Sequence, residues 1–320
     1  MLCSIIVAHY NRPEKLNRLL KTIPIERENE TEVIVVDDIS NKVDEQKAEL
    51  ICSQFSNVRF IKNSLDRKGP GGARNVALEV ANGDWIIIAD SDDKFDKENL
   101  NRLIKAIKNS SSDLIFFGVD EFGNGSRKRM DRLNNVKKKI SDNKILVANN
   151  YGATWGIAYK KGIIDKSNAK FLEGVFIGED GPFSLCSISL SKKVGIVNDI
   201  VYYVENHEES LTHQKLKKKK RLKIRGNDGY KKFMNKLDIA KKLKKIDRNS
   251  YEYYVTYRVK PLTGIINFNL KLRKIWQKNS DVFNKALIYF INYRILKKTY
   301  KNKFEYIEKI NINKSFTFHN

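Results

Sequence analysis

Apolar residues fall in short runs separated by polar, glycine-bearing turns, and the period of the pattern alternates along the first 120 residues. Leu2 to Ala8 is a continuous apolar run with one serine, as expected of a strand buried on both faces. Asn11 is placed to cap a following helix with Pro13 in its first turn, and Leu16, Leu19, Leu20 and Ile23 give that helix one apolar face. Glu32 to Val36 reads as a second strand, Lys47 to Phe55 as a helix and Val58 to Ile61 as a short third strand. After a glycine-rich turn come a helix over 73–81, a strand over 85–89, a helix over 97–108 and a strand over 114–119. Strands alternating with helices predict a parallel, doubly wound α/β sheet with right-handed crossovers.

The middle of the chain is less regular. Gly123-Asn124-Gly125 marks a turn, 151–159 and 194–204 read as strands, and 180–190 as a helix. From about His213 the chain becomes a series of lysine-rich helical segments. Apolar stripes run through Tyr230, Phe233, Leu237 and Ala240, and again through Phe283, Leu287, Phe290 and Tyr293. Two domains are therefore expected: residues 1–212 as the α/β unit and residues 213–320 as a basic helical region.

Charge sharpens that division. The 320 residues carry 61 Lys and Arg against 38 Asp and Glu, a net +23. Residues 1–213 hold 31 of each sign, so the whole excess lies in 214–320, with 30 basic and 7 acidic side chains. Cys3, Cys52 and Cys186 are distant and odd in number, which argues against a disulfide framework, and no Cys/His cluster has zinc spacing. The apolar N-terminal run is too short for a signal-peptide core, and no stretch approaches the roughly 20 apolar residues of a membrane span. A cytoplasmic protein is expected.

In an open α/β sheet, ligands bind beyond the carboxyl ends of the parallel strands. The first strand ends in Ala8-His9-Tyr10-Asn11-Arg12, the second in Asp37-Asp38 and the fourth in Asp90-Ser91-Asp92-Asp93. Aspartates commonly start turns and cap helices, but acidic groups at successive strand ends converge on one edge. Asp90-Ser91-Asp92 is the sharpest element: two carboxylates one residue apart can share a hard divalent cation, Mg²⁺ or Mn²⁺, which leaves positions open for phosphate oxygens. In the loop Arg67 to Asn75, glycines allow close backbone approach, and Lys68 and Arg74 offer cations to phosphate. It is neither a P-loop nor a dinucleotide fingerprint. Gly178-Glu179-Asp180-Gly181-Pro182-Phe183 sets two carboxylates in a turn before a helix, where they serve either as a helix cap or as a general base.

The ordered set SIIVAHYNR (4–12), EVIVVDDIS (32–40), GPGGARNVALEVANGDWIIIADSDD (69–93) and GEDGPF (178–183) resembles family 2 glycosyltransferases of GT-A fold, the bacterial surface-polysaccharide type. The resemblance covers about the first 210 residues. It differs at the first strand end, where AHYN stands in place of the commoner Pro-Thr or Pro-Ala pair before the tyrosine. The resemblance implies that Ala8 and Tyr10 lie along the nucleotide, that Asp38 accepts from its base, that Arg74 holds the donor and that Asp90 binds its ribose or sugar side. Asp92, with His207 as a further contact, would hold Mn²⁺ or Mg²⁺. Asp180 would be the general base, supported by Glu179. The activity implied is an inverting, metal-dependent transfer from a nucleotide-sugar, most simply UDP-linked, to a hydroxyl of a glycan or lipid-linked acceptor in surface-polysaccharide synthesis. The rival classes are a non-catalytic nucleotide-binding adaptor and a nucleotidyltransferase.

The basic tail, with its run KLKKKKRLK (215–223), reads as a solvated face, as a nucleic-acid binder with stacking aromatics such as Tyr251 and Trp276, or as an amphipathic attachment to an anionic membrane surface. No recognised nucleic-acid motif accompanies it, so the membrane surface is the favoured partner. The protein would then sit on the inner face of the cell membrane.

Overall fold

The computed structural model describes residues 1–24, 30–123, 154–167, 169–171, 173, 179–180, 183–184, 187–188 and 191–206, and the backbone of 306–310. Its centre is a sheet of nine strands: β1 (Cys3–His9), β2 (Thr31–Asp37), β3 (Val58–Lys62), β4 (Trp85–Asp90), β5 (Lys94–Phe95), β6 (Leu114–Gly123), β7 (Ile157–Lys160), β8 (Lys193–Asn206) and β9 (Tyr306–Ile310). The order is β3-β2-β1-β4-β7-β6-β8-β5, with β9 added on β8. The first four strands in this order are mutually parallel. β7 then runs antiparallel to both β4 and β6, and β5 runs antiparallel to β8. The sheet is mostly parallel, as expected, with two reversed strands.

Among the described residues the helices that flank it are α1 (Pro13–Leu20), α2 (Lys42–Cys52), α3 (Pro70–Val80), α4 (Lys97–Ile107) and α5 (Lys161–Ser167). Side chains alternate across a strand, and the two faces bury different partners. Cys3, Ile5, Val7, Val33, Val35 and Ile87 share a core with Leu16 and Leu19 of α1, Ala48 of α2 and Leu103 of α4. Ile6, Ile34, Val36 and Ile88 are fully buried outside that core, and α3 packs on β1 and β2 through Ala73 and Ala77. Burial on both sides explains why β1 and β2 read as continuous apolar runs. Cys3 and Cys52 are free buried thiols, and burial raises the pKa of both.

Several element boundaries differ from the sequence reading for identifiable reasons. α2 starts at Lys42 because the Asn41 side chain accepts from the Asp44 N–H, a cap that precedes the apolar stretch. α3 starts at Pro70, since Gly69 takes a φ of +112° and proline opens the helix. Asn11 does not cap α1. Its own φ is +51°, its N–H donates to Ser40 Oγ and its Oδ1 accepts from Asn41, so it ties the β1 end to the β2–α2 turn, while Arg12 stands at the cap position. The strand expected over 151–159 is the shorter β7. Of the expected helix 180–190, Asp180 lies in a bend, residues 183–184 and 187–188 are helical, and 181–182, 185–186 and 189–190 lie outside the described residues. Within the region read as helical, residues 306–310 form β9, parallel to β8; the remainder of the tail, with both its apolar stripes, lies outside the described residues. Among the described residues no helix is long and apolar enough to cross a membrane.

Candidate active site

The parallel order places the carboxyl ends of β2, β1 and β4 side by side, with His9 opposite Asp37 and Ala8 opposite Asp90. With strands about 4.8 Å apart, the Asp38 and Asp90 sides of this edge lie within about 10 Å of each other. Ala8 is half-buried and Tyr10 projects, 51% exposed, leaving its ring free to cover a planar ligand. His9 is buried beside Asp37, with Nε2 3.9 Å from Oδ1. Burial lowers its pKa and outweighs Asp37, which favours the neutral imidazole. Asp37 is committed to the turn, accepting from the Ser40 N–H at 2.9 Å and its hydroxyl at 2.6 Å.

Asp38 anchors the glycine-rich loop. Its carboxylate accepts from the Gly69 N–H at 2.8 Å and from Asn63 Nδ2 at 3.0 Å, and burial raises its pKa against these bonds. The loop then runs tight against the start of α3, and a Cβ at Gly72 would overlap the Arg67 carbonyl. That approach delivers Arg74 to the sheet edge.

Arg74 is the hub of the site. It is 6% exposed; Nη1 donates to Glu179 Oε1 at 2.7 Å and Nη2 to Asp90 Oδ1 at 2.6 Å. Its guanidinium also lies over the Phe171 ring, 5.4 Å from the centroid. One fork thus holds a carboxylate from β4 and one from the 179–180 segment, a geometry lysine could not reproduce. Asp180 sits beside this pair. Burial, reinforced by the charges of Glu179 and Asp90 and opposed by Arg74, pushes its pKa up to about 7. A carboxylate poised there is matched to taking a proton near neutrality.

Asp92 pairs with Arg12, and Arg18 donates to the Asp92 carbonyl. Asp93 lies beneath, 2% exposed, accepting from the Tyr202 hydroxyl at 2.7 Å and the Glu205 N–H at 2.8 Å. The same hydroxyl accepts from the Asp90 N–H at 2.8 Å. Burial raises the Asp90 and Asp93 pKa values, with nearby aspartates adding to the effect. Arg12, Tyr202 and Asp93 were not assigned site roles from the sequence. Arg12 follows the YN pair directly and could have been flagged, whereas nothing local marks Tyr202 among its tyrosine neighbours.

The structure therefore brings together Ala8, Tyr10, Asp38, Arg74, Asp90, Asp92, Glu179 and Asp180. His207 lies outside the described residues. Among the described residues no group of three or more His, Cys, Asp and Glu side chains is gathered as a metal site. The Asp90 and Asp92 side chains, 33% and 18% exposed, are nonetheless the hard oxygen donors that a divalent cation shared with phosphate requires.

An α/β sheet that collects carboxylates and a buried guanidinium at the ends of β1, β2 and β4 is the arrangement expected of a GT-A fold. The family model for glycosyl transferase family 2 matches residues 4–167, just over half of the chain, and the chain belongs to that family. It is 30% identical over 221 residues to the poly(ribitol-phosphate) beta-N-acetylglucosaminyltransferase TarP of Staphylococcus aureus, covering 67% of this chain and 66% of TarP. It is 27% identical over 211 residues to the poly(ribitol-phosphate) beta-glucosyltransferase of Bacillus spizizenii, covering 63% of this chain and 32% of that protein. The matched part thus spans from about a third to just under two thirds of the length of these relatives. The crystal structure of S. aureus TarS 1–349 in complex with UDP-GlcNAc superposes with a TM-score of 0.56 at 18% identity, covering 91% of this chain and 92% of that one; the likeness is one of fold.

Proposed function

We propose that the protein is an inverting glycosyltransferase that moves a sugar from a UDP-linked donor to a hydroxyl of a polyol-phosphate or related surface glycan. The observation that carries the reading is the Arg74 fork, which sets Asp180, with its pKa raised to about 7, against the strand end bearing Asp90. Its neighbours in family 2 include transferases named for poly(ribitol-phosphate) acceptors, and TarS has been crystallised with UDP-GlcNAc.

In this mechanism Tyr10 covers the base, Asp38 fixes the loop and accepts from the base ring, and Arg74 steadies the donor side of Asp90. Asp180 takes the proton of the acceptor hydroxyl as its oxygen attacks the anomeric carbon. The bond from that carbon to the diphosphate oxygen breaks on the opposite face, which inverts the configuration. Glu179, held by Arg74, keeps Asp180 in position. Asp90 and Asp92 would hold Mn²⁺ or Mg²⁺, which supplies positive charge to the departing diphosphate. The basic tail is proposed to meet an anionic membrane surface, placing the enzyme on the inner face of the membrane near a lipid-linked acceptor.

A screen of UDP-, GDP- and dTDP-sugars for Mn²⁺-dependent hydrolysis and transfer tests this. Turnover of a UDP-sugar with release of UDP is expected, and no turnover of any donor would sink it.

A further inference from the structure

Asn75 follows Arg74 in α3 and is 3% exposed. Its amide is spent on one segment of chain. Nδ2 donates to the Phe171 carbonyl at 3.1 Å and to Glu173 Oε1 at 2.9 Å, while Oδ1 accepts from the Phe171 N–H at 2.9 Å. The backbone at Phe171 lies outside the strands of the sheet, and the asparagine gives it the paired donor and acceptor that a neighbouring strand would supply.

Phe171 in turn carries the site. Its ring stacks on Phe183 at 4.3 Å between centroids and 10° between planes, and Phe183, fully buried, meets Tyr159 edge-on at 5.1 Å. Phe171 precedes Glu179 and Asp180 in the chain and Phe183 follows them, so one ring stack pins both flanks of the segment that bears the two carboxylates. Ser184 closes the arrangement, its N–H donating to the Asp180 carbonyl at 3.2 Å and its hydroxyl lying 3.2 Å from that of Tyr159. Arg74 reaches the same assembly from above the Phe171 ring.

We infer that Asn75 is a positioning residue, which acts through the Phe171–Phe183 stack to hold Glu179 and Asp180 in register with Arg74 and Asp90. The inference rests on the assignment of Asp180 as the base. The hydrogen bonds of Asn75 run to Phe171 and Glu173 and not to Tyr10 or Asp38; its link to the nucleotide loop is indirect, through the Arg67 side chain that shares Glu173 Oε1, so nucleotide binding is expected to change little when Asn75 is lost. Displacing a base by about 1 Å lowers turnover about a hundredfold without altering ground-state affinity elsewhere.

The test uses the full chain with Asn75→Ala and Asn75→Asp, and Phe171→Leu as a variant that keeps the backbone bonds but loses the stack. UDP binding by calorimetry is expected to stay within about threefold of wild type in all three, while kcat for transfer falls about a hundredfold. Asn75→Asp falls at least as far as Asn75→Ala, since its carboxylate would face Glu173 and the Phe171 carbonyl. Near-normal kcat in Asn75→Asp, or parallel loss of kcat and UDP affinity, would overturn the inference in favour of a purely structural role. Hydrogen exchange separates its failure from that of the transfer reading. If wild type turns over no donor, exchange at least about tenfold faster over 169–188 in Asn75→Ala, with β2 unchanged, still supports the anchoring of the Glu179–Asp180 segment by Asn75 and places the fault in the transfer reading, and unchanged exchange there overturns the inference.

Discussion

Removing the guanidinium of Arg74 exposes what the site costs to hold together. Arg74→Ala leaves Glu179 and Asp90 without their shared partner and Asp180 without its favourable charge. The Arg74 and Glu179 side chains are 7% and 10% exposed, the range in which breaking one side of an ion pair costs about 3–5 kcal/mol. Asp90 is 33% exposed, so its share is screened and discounted. The net expectation at about pH 8 is a loss of about 3–4 kcal/mol. Arg74→Lys keeps a charge but cannot bond both carboxylates, and should lose about 1.5–3 kcal/mol. The sign with pH is fixed. Asp180 already has a folded pKa of about 7 against an ordinary 3.8, so the folded state binds more protons between those values and stability rises as pH falls through that window. Without Arg74 the carboxylates left behind gain still more from protonation, and the cost of the substitution should shrink toward about pH 5.5. Urea unfolding of wild type and both variants at the two pH values measures this. A loss below about 1 kcal/mol, or an equal loss at both pH values, would refute the view that Arg74 neutralises a buried carboxylate cluster.

The remaining predictions concern other parts of the site. The kcat/KM profile for transfer should rise with pH through about 7 as Asp180 deprotonates, and an acid limb near the ordinary carboxylate range would contradict the assigned base. Tyr202→Phe removes the hydroxyl shared by Asp93 and the Asp90 N–H and should cost about 1–3 kcal/mol in urea unfolding; an effect within error would mean the bridge is unimportant. Gly72→Ala forces α3 away from the Arg67 carbonyl and should destabilise by about 1–3 kcal/mol while weakening UDP binding, and unchanged calorimetry would count against the tight loop. For the tail, truncation is the wrong instrument, because it removes β9 from the edge of β8. Substitution of Lys217 to Lys220 by glutamate keeps that strand and should weaken binding to anionic vesicles at least about a hundredfold; undiminished binding would refute the membrane reading.

Much of this arrangement was legible before any coordinates. Strands buried on both faces announce themselves as apolar runs, so β1, β2 and β4 were placed within a residue or two, and the acidic ends of β2 and β4 followed from the rule for open sheets. Local signals of another kind were harder to read. Asn41 capped α2 ahead of its apolar stripe, and Asn11, a good cap by type, was drawn instead to Ser40 and Asn41. The convergence of Glu179 on Arg74 links residues 105 apart in the chain, and periodicity carries no information about such pairs. β5 was likewise invisible, since two residues give no period, and for β7, read as part of a strand over 151–159, periodicity carries no sign of its reversed direction. Tyr202 is a site residue only because β8 passes under β4's carboxyl end.

The central claim is that the β1–β2–β4 edge binds nucleotide and Asp180 removes the acceptor proton. The most direct test is Asp180→Asn, assayed in parallel for UDP affinity and for transfer from the donor that wild type uses. An amide of the same shape cannot accept the proton but leaves Arg74, Asp90 and the loop in place. Transfer should fall by about 10²–10⁴-fold with UDP affinity unchanged. Transfer that persists at the wild-type rate would contradict the account.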